Sequence, residues 1–221
     1  MTLALFDLDN TLIGGDSDHA WGEFISQNNL VDAEAYKTAN DKFYEDYLAG
    51  QLDMQAYLEF NLEPLKNNSL ATLESWRTRF IEEIIQPMML PKAAELLDKH
   101  RSQGHKLVII TATNDFITAP IAELLGVETL IAVEAELKDG AYTGKVVGTP
   151  SFREGKIARI NEWLANNPEY SLEGSYFYSD SHNDLPLLEV VTHPIAVDPC
   201  PQLKEAATSK GWQIISLRDS L

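Results

Sequence analysis

Leu3, Ala4, Leu5 and Phe6 form an apolar run that stops at Asp7, and the same figure, a short apolar stretch ending in polar residues, recurs along the chain. Such runs read as buried strands, and they are expected at 3–6, 106–110, 129–133, 176–179, 195–197 and 213–217. Between the first two, apolar positions recur at helical spacing instead. Segments 16–28, 32–49, 53–65 and 69–86 each begin at or near a Ser or Asp suited to cap a helix N-terminus. Pro87 and Pro91 punctuate the return, after which 92–103 and 117–125 read as helices. Leu137 to Tyr142 carries Asp139-Gly140, a hairpin turn. Strands alternating with helices imply an α/β fold with a mostly parallel sheet flanked by helices. Gly14-Gly15 reads as a hinge, so the expected division is a core of 1–14 and 87–221 with a helical cap, 15–86, inserted after the first strand.

In an open parallel sheet the carboxyl ends of the strands face the ligand crevice, which gives the residues at those ends their interest. The first strand runs into Asp7-Leu8-Asp9-Asn10-Thr11, two carboxylates suited to metal binding or acid chemistry. The second ends in Thr111, followed by Ala112-Thr113-Asn114. Lys156 falls in the first turns of a helical pattern marked by Ile157, Ile160, Trp163 and Leu164. A later strand ends in Asp180-Ser181-His182-Asn183-Asp184, ahead of Leu185, Leu187 and Leu188. Taken singly, each has a structural reading: Thr111 as a strand-end cap, Lys156 as a solvated lysine, Asp180 or Asp184 as an N-cap. Their order along the chain points instead to one site.

Composition narrows the partners. With 34 acidic against 17 basic residues the formal charge is -17, so the summed field repels anions and local cations must overcome it to hold an anionic substrate. A nucleic-acid binder needs a basic stripe that this balance does not favour, and attachment to an anionic membrane surface gains no support. At 221 residues and 44% hydrophobic, the chain can bury a full core. Its apolar runs fall short of the roughly 20 residues that span a bilayer, and no basic segment precedes an apolar leader. The single cysteine, Cys200, permits no internal disulfide, so a reducing cytoplasm is the expected compartment and a structural role the expected one for Cys200.

With Asp7-x-Asp9-x-Thr11, a strand-end Thr111, Lys156 and Asp180-x-x-x-Asp184 in this order, the chain resembles the haloacid dehalogenase (HAD) superfamily of phosphohydrolases over nearly its whole length. The helical insert after the first strand makes it most similar to subfamily IB, the phosphoserine-phosphatase-like group. The resemblance implies a Rossmann-like core and Mg²⁺-dependent hydrolysis of a small phosphorylated metabolite. Asp7 would be the nucleophile, forming an aspartyl-phosphate, and Asp9 the general acid and then base. Thr111 would hydrogen-bond a phosphoryl oxygen, and Lys156 would neutralise charge shared between phosphate and Asp7. Asp7, Asp180 and the backbone carbonyl of Asp9 would ligate Mg²⁺, with Asp184 holding its waters. The sequence departs from the subgroup at Ala112-Thr113-Asn114 and at Ser179-Asp180-Ser181, where glycines are usual.

Substrate choice is expected in the cap, which can exclude water and touch the leaving group. By resemblance Asp16, nine positions after Asp7, would contact a substrate amino group, with Asp18 and Glu23 nearby; its alternative role is the N-cap of the first cap helix. Thr113 and Asn114 are candidate substrate contacts, and Arg77 or Arg79 could meet a carboxylate, although arginines on an amphipathic helix are commonly solvated. His182 has no assigned role. Phosphoserine, histidinol phosphate and phosphoethanolamine combine a phosphate monoester with a cationic group and are the leading substrates. A phosphotransferase using the same intermediate and a catalytically silent HAD-scaffold binding protein are the alternatives; haloacid dehalogenation has little need for Asp9 or magnesium.

Overall fold

The computed structural model describes residues 1–218. Its centre is a seven-stranded sheet of order β4-β3-β2-β1-β5-β6-β7, comprising β1 (Leu3–Phe6), β2 (Lys106–Asn114), β3 (Thr129–Lys138), β4 (Ala141–Val147), β5 (Tyr176–Ser179), β6 (His193–Val197) and β7 (Gln213–Ile215). Every pairing is parallel except β3 with β4. The antiparallel pair turns at Asp139 and Gly140, with φ of 51° and 79°. That geometry needs positive φ at both central residues, which Asp-Gly supplies. Expected at 129–133, β3 continues to Lys138, because the hairpin partner extends the ladder.

Alternation along β1 explains how both sheet faces are covered. Leu3 and Leu5 join one cluster with Val108, Phe177 and Ala196, closed by Ile160 of α8 (Glu154–Asn166), Leu187 of α9 (Leu185–Leu188) and Leu203 of α10 (Pro201–Lys210). Ala4 and Phe6 join the other, with Ala93 and Leu97 of α6 (Pro91–Ser102) and Phe116 and Ile121 of α7 (Asp115–Leu124). The sequence reading leaves α10 without a helix. Its signals are Pro201 at the start, Leu203 and Ala207 four apart and buried, and Gly211 at φ 68° just past the end.

Between β1 and α6 lie α1 (Ser17–Gln27), α2 (Ala33–Leu48), α3 (Met54–Lys66) and α4 (Leu70–Phe80). Asp16, Asp32, Asp53 and Ser69 cap them through their side chains. The helix expected to run unbroken to 86 widens into a π turn, Ile81–Ile85, before the short α5 (Gln86–Met88). Pro87 accounts for this: it has no N–H for the carbonyl four residues earlier, and its ring crowds that carbonyl. The cap is anchored by rings, Trp21 lying edge-on to Phe80 at 5.2 Å and to Phe116 of α7 at 5.7 Å. Its two connections run side by side, Ile13 bridging Met89 and Gly14 N–H donating to the Met88 carbonyl at 2.7 Å.

Candidate active site

The ends of β1, β2 and β5, three neighbouring strands, converge below the cap. β1 delivers Asp7, only 6% exposed, and its Oδ1 accepts from Lys156 Nζ at 2.8 Å. The same ammonium is 2.8 Å from the Asp184 carboxylate, whose Oδ2 also accepts from Ser179 Oγ at 2.7 Å. Thr11 Oγ1 stands between Asp7 Oδ2 at 3.4 Å and Asp180 Oδ1 at 3.3 Å, and accepts the Asp180 N–H at 3.1 Å. One hydroxyl proton thus serves two facing carboxylate oxygens.

Charge explains what this cluster needs. Burial pushes the Asp7 carboxyl up to about 7 against the pull of Lys156, with Asp184 adding repulsion. Burial, then repulsion from Asp7 and Asp184, pushes Asp180 well above the carboxylate range. Burial works against the Lys156 charge, but Asp184 and Asp7 outweigh it and hold the ammonium protonated. One lysine cannot balance two buried carboxylates and a third, half-buried one, so the cluster is short of positive charge. Among the described residues no three His, Cys, Asp or Glu side chains close into a metal cage. Mg²⁺ does not require one, since it takes one or two carboxylates and keeps waters. The oxygen-only, electron-rich donor set of Asp7 and Asp180 fits that ion.

Asp9 sits across from Asp7 and bridges core and cap. Its Oδ2 accepts from Thr113 Oγ1 at 2.8 Å and lies 3.4 Å from Thr111 Oγ1, while its Oδ1 accepts the Ser17 N–H at 2.6 Å. Burial, reinforced by Asp16, pushes its carboxyl up to about 6. Thr111 is itself fixed by Ser151, whose Oγ donates to the Thr111 carbonyl at 2.5 Å.

The residues lining the pocket above these groups include Asp7, Asp9, Thr111 and Thr113 from the core, Asp16, Asp18, His19, Tyr44, Tyr47 and Tyr57 from the cap, and the rings of Phe43 and Phe152. Asp16 both lines it and caps α1, accepting from the N–H groups of Asp18 at 3.1 Å and His19 at 2.8 Å. Sequence reasoning gave Asp18 no more than proximity. It is 7% exposed, accepts from Tyr57 OH and from Asn61 Nδ2 at 2.8 Å, and burial pushes its carboxyl up to about 6. Asn114 does not line the pocket: its Nδ2 donates to Asn61 Oδ1 at 2.7 Å and its Oδ1 caps α7, so it reaches the pocket only through Asn61 and Asp18. Arg77 is also elsewhere, donating to the Phe116 carbonyl at 3.0 Å with its guanidinium 4.6 Å from the Phe116 ring centroid. That apolar ring, laid against α4 by cap packing, competes successfully for the guanidinium. Arg79 pairs with Glu83 on the surface, and Glu23 is not among the pocket residues. Tyr57, Asn61, Tyr44 and Tyr47 escaped the sequence reading because they sit in ordinary amphipathic cap helices.

A parallel α/β core that presents a lysine-paired aspartate and a second acid at its first strand tip, under a helical cap, is the architecture of an aspartate-based hydrolase. The chain belongs to the haloacid dehalogenase-like hydrolase family, whose profile matches residues 4–189, and it is a phosphatase of that type. It is 44% identical to a histidinol-phosphatase of Neisseria meningitidis serogroup C (strain 8013), covering 98% of this chain and 99% of that protein. It is 30% identical to a phosphoserine phosphatase of Mycobacterium tuberculosis (strain ATCC 25618 / H37Rv), over 97% of this chain and 70% of that one. Among solved structures, a Bordetella pertussis Tohama I protein of unknown function superposes with a TM-score of 0.91 at 44% identity, covering 99% of this chain and 100% of that one. A phosphoserine phosphatase captured as a phospho-aspartyl intermediate analogue shares the fold, with a TM-score of 0.72 at 22% identity, covering 99% of this chain and 94% of that one.

Proposed function

We propose that this phosphatase is a Mg²⁺-dependent, cytoplasmic phosphomonoesterase that works through an aspartyl-phosphate on Asp7 and takes a small amine-bearing ester, with histidinol phosphate the foremost candidate. The observation that carries it is the pairing of Asp7, held by Lys156 at 2.8 Å, with Asp9, held from both sides, beneath a pocket walled by acids and rings. Asp7 attacks phosphorus, the ester P–O bond breaks, and Asp9 gives its proton to the leaving oxygen. Asp9 then takes a proton from water, which attacks phosphorus, releasing phosphate and freeing Asp7. Lys156 offsets the charge of nucleophile and phosphoryl group, and Thr111 offers a hydroxyl to a phosphoryl oxygen. Asp7, Asp180 and the Asp9 carbonyl would hold Mg²⁺, with Asp184 beyond it, and the ion would supply the positive charge that the cluster lacks.

The pocket wall supports the substrate reading. Asp16 and Asp18 offer negative charge to a cationic group, and Tyr44, Tyr47 and Phe152 make the wall beside them aromatic. No Lys or Arg is among the residues lining the pocket, so the carboxylate of phosphoserine would find no lysine or arginine to pair with there. The 44% identity with a histidinol-phosphatase points the same way. The test is phosphate release with and without Mg²⁺ across histidinol phosphate, phosphoethanolamine and phosphoserine, with Asp7→Asn as the blank. A Mg²⁺-dependent rate, highest on histidinol phosphate and absent from the variant, supports the reading. Wild type matching the blank on every ester refutes it, and transfer to an added alcohol without phosphate release would make the enzyme a phosphotransferase.

A further inference from the structure

Arg153 has no part in the chemistry above, yet the chain holds it in an unusual backbone state. Its φ of 51° and ψ of -122° belong to a region that side chains other than glycine rarely occupy. It stands just before α8, and its carbonyl accepts the Lys156 N–H at 3.0 Å. From there its guanidinium makes two bonds in different parts of the fold. Nε donates to Asn183 Oδ1 at 3.1 Å, inside the 180–184 loop that carries Asp180 and Asp184. Nη2 donates to the Gly50 carbonyl at 2.5 Å, in the cap loop between α2 and α3.

The rest of this seam is fitted to the same contact. Gly50 has φ of 69°, and a Cβ there would come within 2.8 Å of His182 Nε2, so the cap loop lies directly on the 180–184 loop. Tyr47 OH donates to Ser181 Oγ at 3.4 Å, and the Tyr47 ring faces Phe152 with centroids 6.2 Å apart. The guanidinium itself lies 4.9 Å from the centroid of the Phe152 ring, a wall of the pocket.

We infer that Arg153 is a positioning residue that makes closure of the cap and ordering of the 180–184 loop a single event. Its bond to Gly50 exists only with the cap down, and its bond to Asn183 carries that state to the segment holding Asp180 and Asp184. A substrate that binds under the cap therefore meets an assembled site, and an open cap loosens it. The kinetic part of this inference rests on the phosphatase reading; the structural tie does not.

The experiment compares the full-length wild type with Arg153→Gly and Arg153→Ala. Glycine adopts the observed φ without strain, whereas alanine keeps the strain and loses the same two bonds. Amide exchange is read first. Both variants are expected to exchange at least tenfold faster in 48–53 and in 181–183 together, with β1, β2 and β5 unchanged. Acceleration in only one segment, or in neither, overturns the tie. Kinetics on histidinol phosphate with Mg²⁺ come next, with KM expected to rise at least fivefold and kcat to stay within twofold, since bound substrate restores closure. A fall in kcat at constant KM, or an unchanged KM, overturns the role in the reaction. Arg153→Ala is expected to melt below Arg153→Gly while matching it in exchange and KM; if it is worse in all three, the effect is general loosening and the inference fails. A wild type inactive on every ester refutes the phosphatase reading alone, because the exchange result is read without turnover.

Discussion

The Ser17 N–H donates to Asp9 Oδ1 at 2.6 Å, so the first residue of the first cap helix orients a side chain at the core's first strand tip. Thr113 takes the other oxygen at 2.8 Å. Asp9 is therefore aimed jointly by cap and core. As the general acid, it matters most where the leaving oxygen is a poor one. Asp9→Asn is expected to slow leaving-group release in a single turnover by about 10²–10⁴ on an alkyl phosphate, the usual worth of a positioned acid, and much less on p-nitrophenyl phosphate, whose leaving group needs no proton; hydrolysis of the aspartyl-phosphate, where Asp9 is the base, slows alike for both. Equal losses in the release step on the two esters would remove Asp9 from the role of acid.

Lys156 lies within 2.8 Å of both Asp7 and Asp184, with all three buried. Removing one partner of a buried ion pair leaves uncompensated charge, at a cost of roughly 3–5 kcal/mol. Lys156→Met is thus expected to be inactive and to unfold at lower urea. Asp7, pushed up to about 7 by burial even beside the ammonium, is pushed further without it, so the variant takes up its native-state proton at higher pH than wild type and its deficit shrinks as pH falls toward 7. A deficit that grows on acidification would contradict this account.

Asp18 carries the opposite balance of stability and function. Burial raises its carboxyl to about 6, above the ordinary 3.8, so its charge opposes folding at neutral pH. Asp18→Asn is expected to raise the melting temperature by an amount corresponding to about 1–3 kcal/mol. It is also expected to raise KM for histidinol phosphate while leaving p-nitrophenyl phosphate little changed. Parallel losses on both esters would mean that Asp18 shapes the pocket rather than reading a cation.

What the sequence made legible follows from the distance over which each cause acts. Asp7, Asp9, Thr111, Lys156, Asp180 and Asp184 stand at or near ends of elements whose own residues declare them, so their order, with the family resemblance it carries, points to one site. The cap's contribution could not be read this way. Whether Tyr57 and Asn61 turn toward Asp18, or Arg77 toward Phe116, depends on how α3 and α4 dock, and a helical pattern reveals an apolar face without naming what meets it. Asn114 illustrates the same limit, since its place beside Thr113 promised the pocket while its amide serves Asn61. The π turn at Ile81–Ile85 had its cause, Pro87, in plain view.

Gly155 touches backbone where a side chain would need room. A Cβ built on it would lie 2.0 Å from the Pro150 carbonyl oxygen, which cannot swing aside as a side-chain tip could. Gly155→Ala must shift the 150–155 turn and, with it, the first turn of α8 that carries Lys156. Overpacking of this kind costs about 1–3 kcal/mol. The expected result is a lower urea midpoint together with at least tenfold lower kcat, whereas full activity would mean that the turn moves without disturbing Lys156.

His100, on α6 and 2% exposed, sits behind the β1 and β5 strands with Nε2 2.8 Å from Tyr178 OH and Nδ1 2.8 Å from His105 Nδ1. Its ring lies edge-on to Phe6 at 5.7 Å, and Phe6 in turn stacks on Tyr178 at 5.0 Å. Burial, with repulsion from His105 and Lys99, pushes the imidazole down to about 4 from the ordinary 6.5. The folded chain thus keeps His100 neutral while the unfolded chain protonates it between those values. Stability from this source is complete above pH 6.5 and drains as pH falls toward 4. The full swing is on the order of 3 kcal/mol. Carboxylates raised by burial act in the other direction but are common to wild type and His100→Gln, so they cancel in the comparison. Urea unfolding at several pH values across that window is expected to show wild type losing stability more steeply than His100→Gln by up to one proton's worth of slope. Identical slopes would mean that His100 does not hold its neutral form in the folded protein.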